Sequence, residues 1–234
     1  MGELHELSRI FEVLGPKYPA LLFPKVRDLL SGPDSASLES ANVGNSIRAR
    51  NVQFELFIMA EFSAAGFPLS DDTLTDVRSI HDGVPVLVEC KRPQRDSSIH
   101  ANLKDAFYQL NDQPRNQLPE ALKIAALSLT KVLTDEVGVI GAPSGRSAGN
   151  FVSDWIEKKI GPHLQYAQRK GGSNFGGMLI YASLSAIQGD TGNPAIVMKH
   201  VFFDNPAGSQ ETIKAALSWF RRFSAGEHPG VTLI

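Results

Sequence analysis

Apolar and polar residues alternate along the chain with two different periods. In the first 30 residues, apolar side chains recur at helical spacing until Gly15 and Pro16 stop the pattern, and Pro19 and Pro24 bracket a second piece. This region is therefore predicted to form one or two short helices. A further helix is predicted from Arg50 to about Ala65, where Gly66 would end it. Between them, Ser31–Asn45 is rich in Ser, Gly, Pro, Asp and Asn, which is typical of a surface loop.

Two strand-like runs, residues 74–81 and 84–91, are separated by Asp82 and Gly83. Asp-Gly is among the strongest short hairpin signals, because both turn positions tolerate positive φ. A two-residue turn pairs His81 with Val84 and, counted along both strands, Asp76 with Glu89. The pattern therefore predicts an antiparallel hairpin with two opposed carboxylates.

The rest of the chain continues the alternation of helices and strands. Helices are predicted at residues 102–110, 119–133, 151–160 and 211–223, and strands at 137–140, 178–187 and 195–203. This order predicts an α/β (α+β) fold in which a central mixed β-sheet is flanked by helices. We expect an N-terminal helical arm and loop at residues 1–45 and a single α/β domain at residues 46–234.

Composition and net charge exclude several classes of protein. Hydrophobic residues are 42% and charged residues 21%, which is ordinary globular usage, and the apolar runs are too short to span a membrane. A single cysteine, Cys90, excludes internal disulfides and Cys-rich metal sites and fits a cytoplasmic location. The net charge of −2 means that contact with nucleic acid needs a local basic patch.

The opposed carboxylates Asp76 and Glu89 are the main candidate chemistry. Directly opposed residues have Cβ atoms about 4.5–5.5 Å apart, so two carboxylates there need a compensating cation, either a basic side chain or a metal. Oxygen ligands suit Mg²⁺ or Mn²⁺. Lys91 should point to the same face as Glu89, and Cys90 to the other. Asp71 and Asp72 are alternative first ligands if the strand begins earlier.

Glu55 is a third candidate carboxylate. The helix that carries it is apolar around much of its circumference, so it should be well buried. A buried carboxylate must be paired, protonated or bound to a metal. Glu55 therefore either joins the hairpin cluster or forms a salt bridge with one of the arginines Arg48, Arg50 and Arg78.

Together these residues resemble a known nuclease motif. Asp76, twelve intervening residues, Glu89-Cys90-Lys91 on a hydrophobic strand and the upstream Glu55 are similar to the PD-(D/E)XK, restriction endonuclease-like superfamily. The resemblance covers about residues 48–110. It departs from the family in one position, because Thr75 stands where the family often has proline.

The resemblance implies a restriction endonuclease-like core and a Mg²⁺-dependent endonuclease that hydrolyses DNA, with a possible homodimer. Asp76, Glu89 and the backbone carbonyl of Cys90 would ligate the metal, with Glu55 as a further carboxylate. Lys91 would orient or deprotonate the attacking water.

Basic residues near the hairpin are candidates for gripping phosphates. Arg92 and Arg95 follow the strand, and Arg50 precedes Glu55 on its helix; all three are alternatively ordinary solvated charges. Gln109, on the next predicted helix, resembles a glutamine that some branches of the superfamily carry there.

Other enzyme classes find no support in the sequence. The segment 141–147 resembles a phosphate-binding P-loop but has Ile140 and Arg146 where that loop needs glycine and lysine. The histidines lack metal-ligand spacing, and no Gly-x-Ser-x-Gly elbow occurs. The competing hypothesis is a catalytically inactive domain of the same fold that binds nucleic acid or protein.

Overall fold

The computed structural model of the protein describes residues 2–30, 44–70, 75–111, 118, 120–189, 191–225 and 231–233. The helices are α1 (Gly2–Lys17), α2 (Pro19–Leu30), α3 (Gly44–Ala64), α4 (Ile99–Asn111), α5 (Thr130–Val137), α6 (Gly145–Lys170) and α7 (Gln210–Ala225). The strands are β1 (Val77–His81), β2 (Val84–Lys91), β3 (Leu122–Ser128), β4 (Ile140–Ala142), β5 (Phe175–Gln188), β6 (Pro194–Asp204) and β7 (Val231–Leu233).

The strands form one seven-stranded mixed sheet in the order β1-β2-β3-β5-β6-β7, with β4 paired to β5 off this path. β2, β3 and β5 are parallel neighbours, β4 is parallel to β5, and the remaining pairs are antiparallel. Helices cover both faces, so the predicted mixed sheet flanked by helices is confirmed.

Each face of the sheet has its own hydrophobic core. One core joins α1, α2, α3 and α7 to sheet side chains such as Val88, Ile124 and Leu179. The other joins α4, α5 and α6 to side chains such as Leu87 and Ile180. Neighbouring residues of β2 therefore point into different cores, as the pleat requires.

The helix predicted at residues 119–133 is wrong. Leu122–Ser128 forms β3, which is buried along its whole length between β2 and β5. Only Thr130–Val137 is helical. A central parallel strand is covered on both faces and reads as one continuous apolar run, which periodicity does not distinguish from a buried helix.

The predicted hairpin is confirmed. β1 and β2 are antiparallel with His81 opposite Val84 and Val77 opposite Val88. Asp82 and Gly83 both have positive φ, 50° and 80°, as the predicted turn requires. The ladder ends at Val77, one pair before Asp76 and Glu89. Leu74, Asp71 and Asp72 lie outside the described residues.

The other helical predictions differ mainly at their ends. α3 begins at Gly44 rather than Arg50, and it ends before Gly66, whose φ of 79° stops the helix as predicted. α1 continues through Pro16 to Lys17. The sequence pattern does not predict β7.

The N-terminal helices contribute to the core. Ile10, Leu14 and Leu22 are fully buried in the same cluster as α3. The predicted loop at 31–45 lies outside the described residues as far as position 43, and the division into an arm and a domain at residue 45 stays a prediction. In the part of the chain that the structure describes, no helix combines the length and apolar character needed to cross a membrane.

Candidate active site

The open end of the hairpin, opposite its turn, carries the predicted acidic residues. Cys90 donates its backbone N–H to Asp76 Oδ2 at 2.8 Å. With a two-residue turn, hydrogen-bonded pairs alternate along the ladder, so a longer β1 would have given this N–H a backbone acceptor at residue 75. The Asp76 carboxylate takes the place of that acceptor. This hydrogen bond fixes the carboxylate beside Cys90, near the end of β2.

Residues 89–91 of β2 point alternately to the two faces of the sheet. Cys90 lies in the core beneath α3. Glu89 is only 2% exposed, and its Oε2 is 3.8 Å from Lys91 Nζ. The predicted faces of Cys90 and Lys91 are therefore confirmed, and a nearly buried carboxylate lies beside an ammonium group.

Lys91 is held by residues of α4. Its Nζ donates to Gln109 Oε1 and forms an ion pair with Asp105 Oδ2 at 3.2 Å. Asp105 and Gln109 are four residues apart and so share one face of the helix. The ammonium group thus lies between Glu89 on the strand and two acceptors on the helix.

Glu55 has a different partner from those predicted. Its Oε2 accepts from Lys25 Nζ of α2 at 2.8 Å, rather than from Arg48, Arg50 or Arg78. Burial, followed by the negative charge of Asp76, raises the pKa of Glu55, and Lys25 opposes this rise. Glu55 therefore lies within electrostatic reach of Asp76.

The cluster also acts on the Cys90 thiol. Burial first, and then the charges of Asp76, Glu55 and Glu89, raise the pKa of Cys90 well above its usual range. A thiol with a raised pKa is not a nucleophile at neutral pH. The charges of all three carboxylates act on this one buried sulfur, so Glu55, Asp76 and Glu89 lie near the same end of β2.

The carboxylates at this end of β2 are the candidate ligands for a metal ion. Within the described ranges, no group of three or more His, Cys, Asp and Glu side chains is arranged to hold a metal ion. Magnesium, however, commonly uses only one or two carboxylates and keeps several waters. Glu55, Asp76 and Glu89 supply carboxylate oxygens of the kind that magnesium prefers, and Lys25 and Lys91 are among the groups that contact them.

The predicted phosphate-gripping arginines separate into two groups. Arg95 is exposed after β2, whereas Arg50 and Arg92 are 5% and 8% exposed. Arg50 donates to Gln53 Oε1 at 2.5 Å, and both buried arginines line a small pocket together with Glu6 and Gln53. Gln109, predicted with them, contacts Lys91 instead.

Two residues of the site were missed in the sequence. Asp105 had a usable signal, because it lies one helical turn before Gln109. Lys25 had none, since its contact with Glu55 spans 30 positions and joins two helices whose packing the sequence pattern does not specify.

Comparison of the chain with models of known protein families, with curated proteins and with solved structures finds no match.

Proposed function

We propose that the protein is a metal-dependent nuclease that hydrolyses phosphodiester bonds of DNA, built on a PD-(D/E)XK, restriction endonuclease-like core. The observation that carries the proposal is the convergence of Glu55, Asp76 and Glu89 at the end of β2, with Lys91 held beside Glu89. None of these residues is needed there to bury apolar surface.

Asp76, Glu89 and the Cys90 carbonyl would hold Mg²⁺ or Mn²⁺, with Glu55 as a further carboxylate. When bound, such an ion lowers the pKa of a coordinated water and neutralises charge on the phosphoryl oxygens. The carboxylate oxygens of this donor set, and the electrostatic effect of Asp76 on Glu55, support a cation at this position.

Lys91 supplies the positive charge that the chain itself contributes. Its ammonium group would orient the attacking water by donating a hydrogen bond and would stabilise the hydroxide-like nucleophile. Gln109 and Asp105 fix its direction, so they act as positioning residues. Hydrolysis adds water across one P–O bond and leaves a phosphate monoester on one strand end and a hydroxyl on the other.

A binding module without catalysis is the second candidate. It is favoured by the Lys25–Glu55 ion pair, whose atoms are 2.8 Å apart. In this pair a basic side chain of the protein compensates the charge of one of the three carboxylates. On this alternative the cluster is satisfied internally and requires no metal.

A plasmid-nicking assay with Mg²⁺, with Mn²⁺ and with a chelator separates the two functions. The wild type should nick only with metal, and Asp76→Asn and Glu89→Gln should lose this activity. Asn at position 76 keeps an oxygen acceptor for the Cys90 N–H, so the fold should survive. Asp154→Asn, on the exposed face of α6, is the matched control and should cut like the wild type. A folded wild type that never nicks would favour the binding module.

A further inference from the structure

The candidate active site includes an ammonium group that comes from an N-terminal helix. Lys25 of α2 donates from Nζ to Glu55 Oε2 of α3 at 2.8 Å. The Lys25 and Glu55 side chains are 33% and 19% exposed, so water screens this pair less than it screens a pair in open solvent. Lys25 therefore places a positive charge directly on one of the three candidate metal ligands.

Lys25 is the main cation acting on Glu55. Burial, followed by the negative charge of Asp76, raises the pKa of Glu55. Lys25 opposes this rise by its charge and by its hydrogen bond, and Lys91 opposes it more weakly. Lys91 is also paired with Asp105 on α4, so part of its charge is compensated outside the three carboxylates. Lys25 thus offsets the repulsion between Glu55 and Asp76.

Lys25 and a divalent ion would use the same carboxylate. An ammonium group bound to a carboxylate oxygen offsets its charge, so an incoming cation gains less from Glu55. The lysine stem is flexible, whereas α2 is anchored by Leu22 and Leu29, which are 0% and 7% exposed. Lys25 can therefore withdraw from Glu55 while the helix stays in place.

We propose that Lys25 is an internal counterion of the candidate metal centre and competes with the divalent cation for Glu55. This inference rests on the proposed nuclease function and adds a control on its metal site. Without metal, Lys25 compensates the charge of Glu55. With metal bound, the ion takes over that role. Helix α2 thereby sets the metal concentration at which the site fills.

The test is calorimetric titration of Mn²⁺ into the wild type and into Lys25→Met, at one pH and low ionic strength. Methionine keeps most of the apolar stem of lysine and removes its charge. The Kd for Mn²⁺ should fall about tenfold in the variant, the effect expected when one unit charge is removed beside the ligand at a partly exposed site.

The stability of the same variant should change in the opposite direction. In a chelator, the melting temperature of Lys25→Met should lie about 2–4 °C below that of the wild type, because Glu55 loses its partner beside Asp76. Saturating Mn²⁺ should close this difference, since the ion then supplies the positive charge. A purely structural salt bridge would lower the melting temperature and leave the Kd unchanged.

Arg48→Gln is the matched control. Arg48 Nη2 lies 2.8 Å from Asp28 Oδ2, so this pair also joins α3 to α2. Arg48 is seven residues from Glu55, which is about 10 Å along the helix. Arg48→Gln should therefore keep the wild-type Kd for Mn²⁺. In a Glu55→Gln background, Lys25→Met should have no further effect on the Kd, because Lys25 acts through Glu55.

The outcomes separate this inference from the nuclease proposal. A wild type that binds Mn²⁺ with the same Kd as Lys25→Met, or more tightly, overturns the counterion role and leaves the metal centre intact. Tighter binding by Lys25→Met without any plasmid nicking keeps the counterion role and overturns the nuclease. If neither folded protein binds Mn²⁺, the metal centre is wrong and the counterion role is wrong with it.

Discussion

The two ends of the β1–β2 hairpin place polar groups in opposite settings. At the turn, His81 is 4% exposed, its Nε2 lies 3.1 Å from Ser218 Oγ, and its ring packs edge-on against Phe67. Burial lowers the pKa of His81, so the ring is neutral at neutral pH. At the open end, Asp76 and Glu89 bring negative charge close to the buried Cys90.

The difference shows which end is built for stability. The turn end combines aromatic contacts with a two-residue turn, both of which favour the folded state. The open end collects carboxylates whose mutual repulsion opposes folding. A cluster of buried charges that costs stability without supporting the core is typical of a functional site.

Removing the Lys91 ammonium should have the largest effect on activity. Lys91→Ala should lower nicking about 10²- to 10⁴-fold, the usual contribution of a positioned proton-transfer or orienting group. Metal binding should stay close to that of the wild type, whereas the melting temperature should fall, because the buried Glu89 loses a neighbouring cation. Lys214→Ala, exposed on α7, is the control. Full activity in Lys91→Ala would contradict its proposed role.

A substitution in the turn should have the opposite effect to one at the open end. It should lower stability and leave nicking activity unchanged. Gly83 has a φ of 80° and open space around its α-carbon, so Gly83→Ala introduces backbone strain and no clash. We expect a loss of about 1 kcal/mol in the free energy of unfolding, measured with urea. Gly141→Ala, equally open but without positive φ, is the matched control. Unchanged stability in Gly83→Ala would show that the turn contributes little.

The hairpin also shows how much of the site the sequence could predict. The Asp82-Gly83 turn determines the register, and the pleat then determines that Cys90 and Lys91 point to opposite faces. Those are local rules, and both predictions are confirmed. The approach of Asp76 to the Cys90 N–H depends on where β1 ends, which the turn does not specify.

Long-range packing explains what the sequence did not predict. Burial on both faces makes β3 indistinguishable from a buried helix by periodicity, so the sequence pattern predicts a helix where this central strand lies. The Lys25–Glu55 pair depends on how α2 packs against α3. The contact of Arg50 and Arg92 with one pocket likewise depends on the packing of four separate segments of the chain.

Neutralising Glu55 should have a smaller effect that depends on pH. A raised pKa means that the folded protein binds this proton more tightly than the unfolded chain, so wild-type stability falls as pH rises from 4.5 through the raised pKa. Glu55→Gln lacks this fall. In a chelator, its free energy of unfolding should therefore improve relative to the wild type across that window, with Glu157→Gln on α6 as the control. Parallel pH profiles would contradict the raised pKa.

The smallest effect is expected at the turn histidine and has the opposite sign. Because the pKa of His81 is lowered, the stability it contributes is complete above 6.5 and is lost as pH falls through the lowered pKa. His81→Gln should flatten the acid side of the stability profile, measured by urea unfolding at a series of pH values. A variant that loses stability in acid as steeply as the wild type would show that another group titrates there.

The most direct test of the central claim is calorimetric titration of Mn²⁺ into the wild type and into Glu89→Gln, both shown to be folded. Our account predicts binding to the wild type and its loss in the variant, because Glu89 is the most buried carboxylate of the cluster. A folded wild type that binds no Mn²⁺ would contradict the metal centre and assign the carboxylates to internal ion pairs.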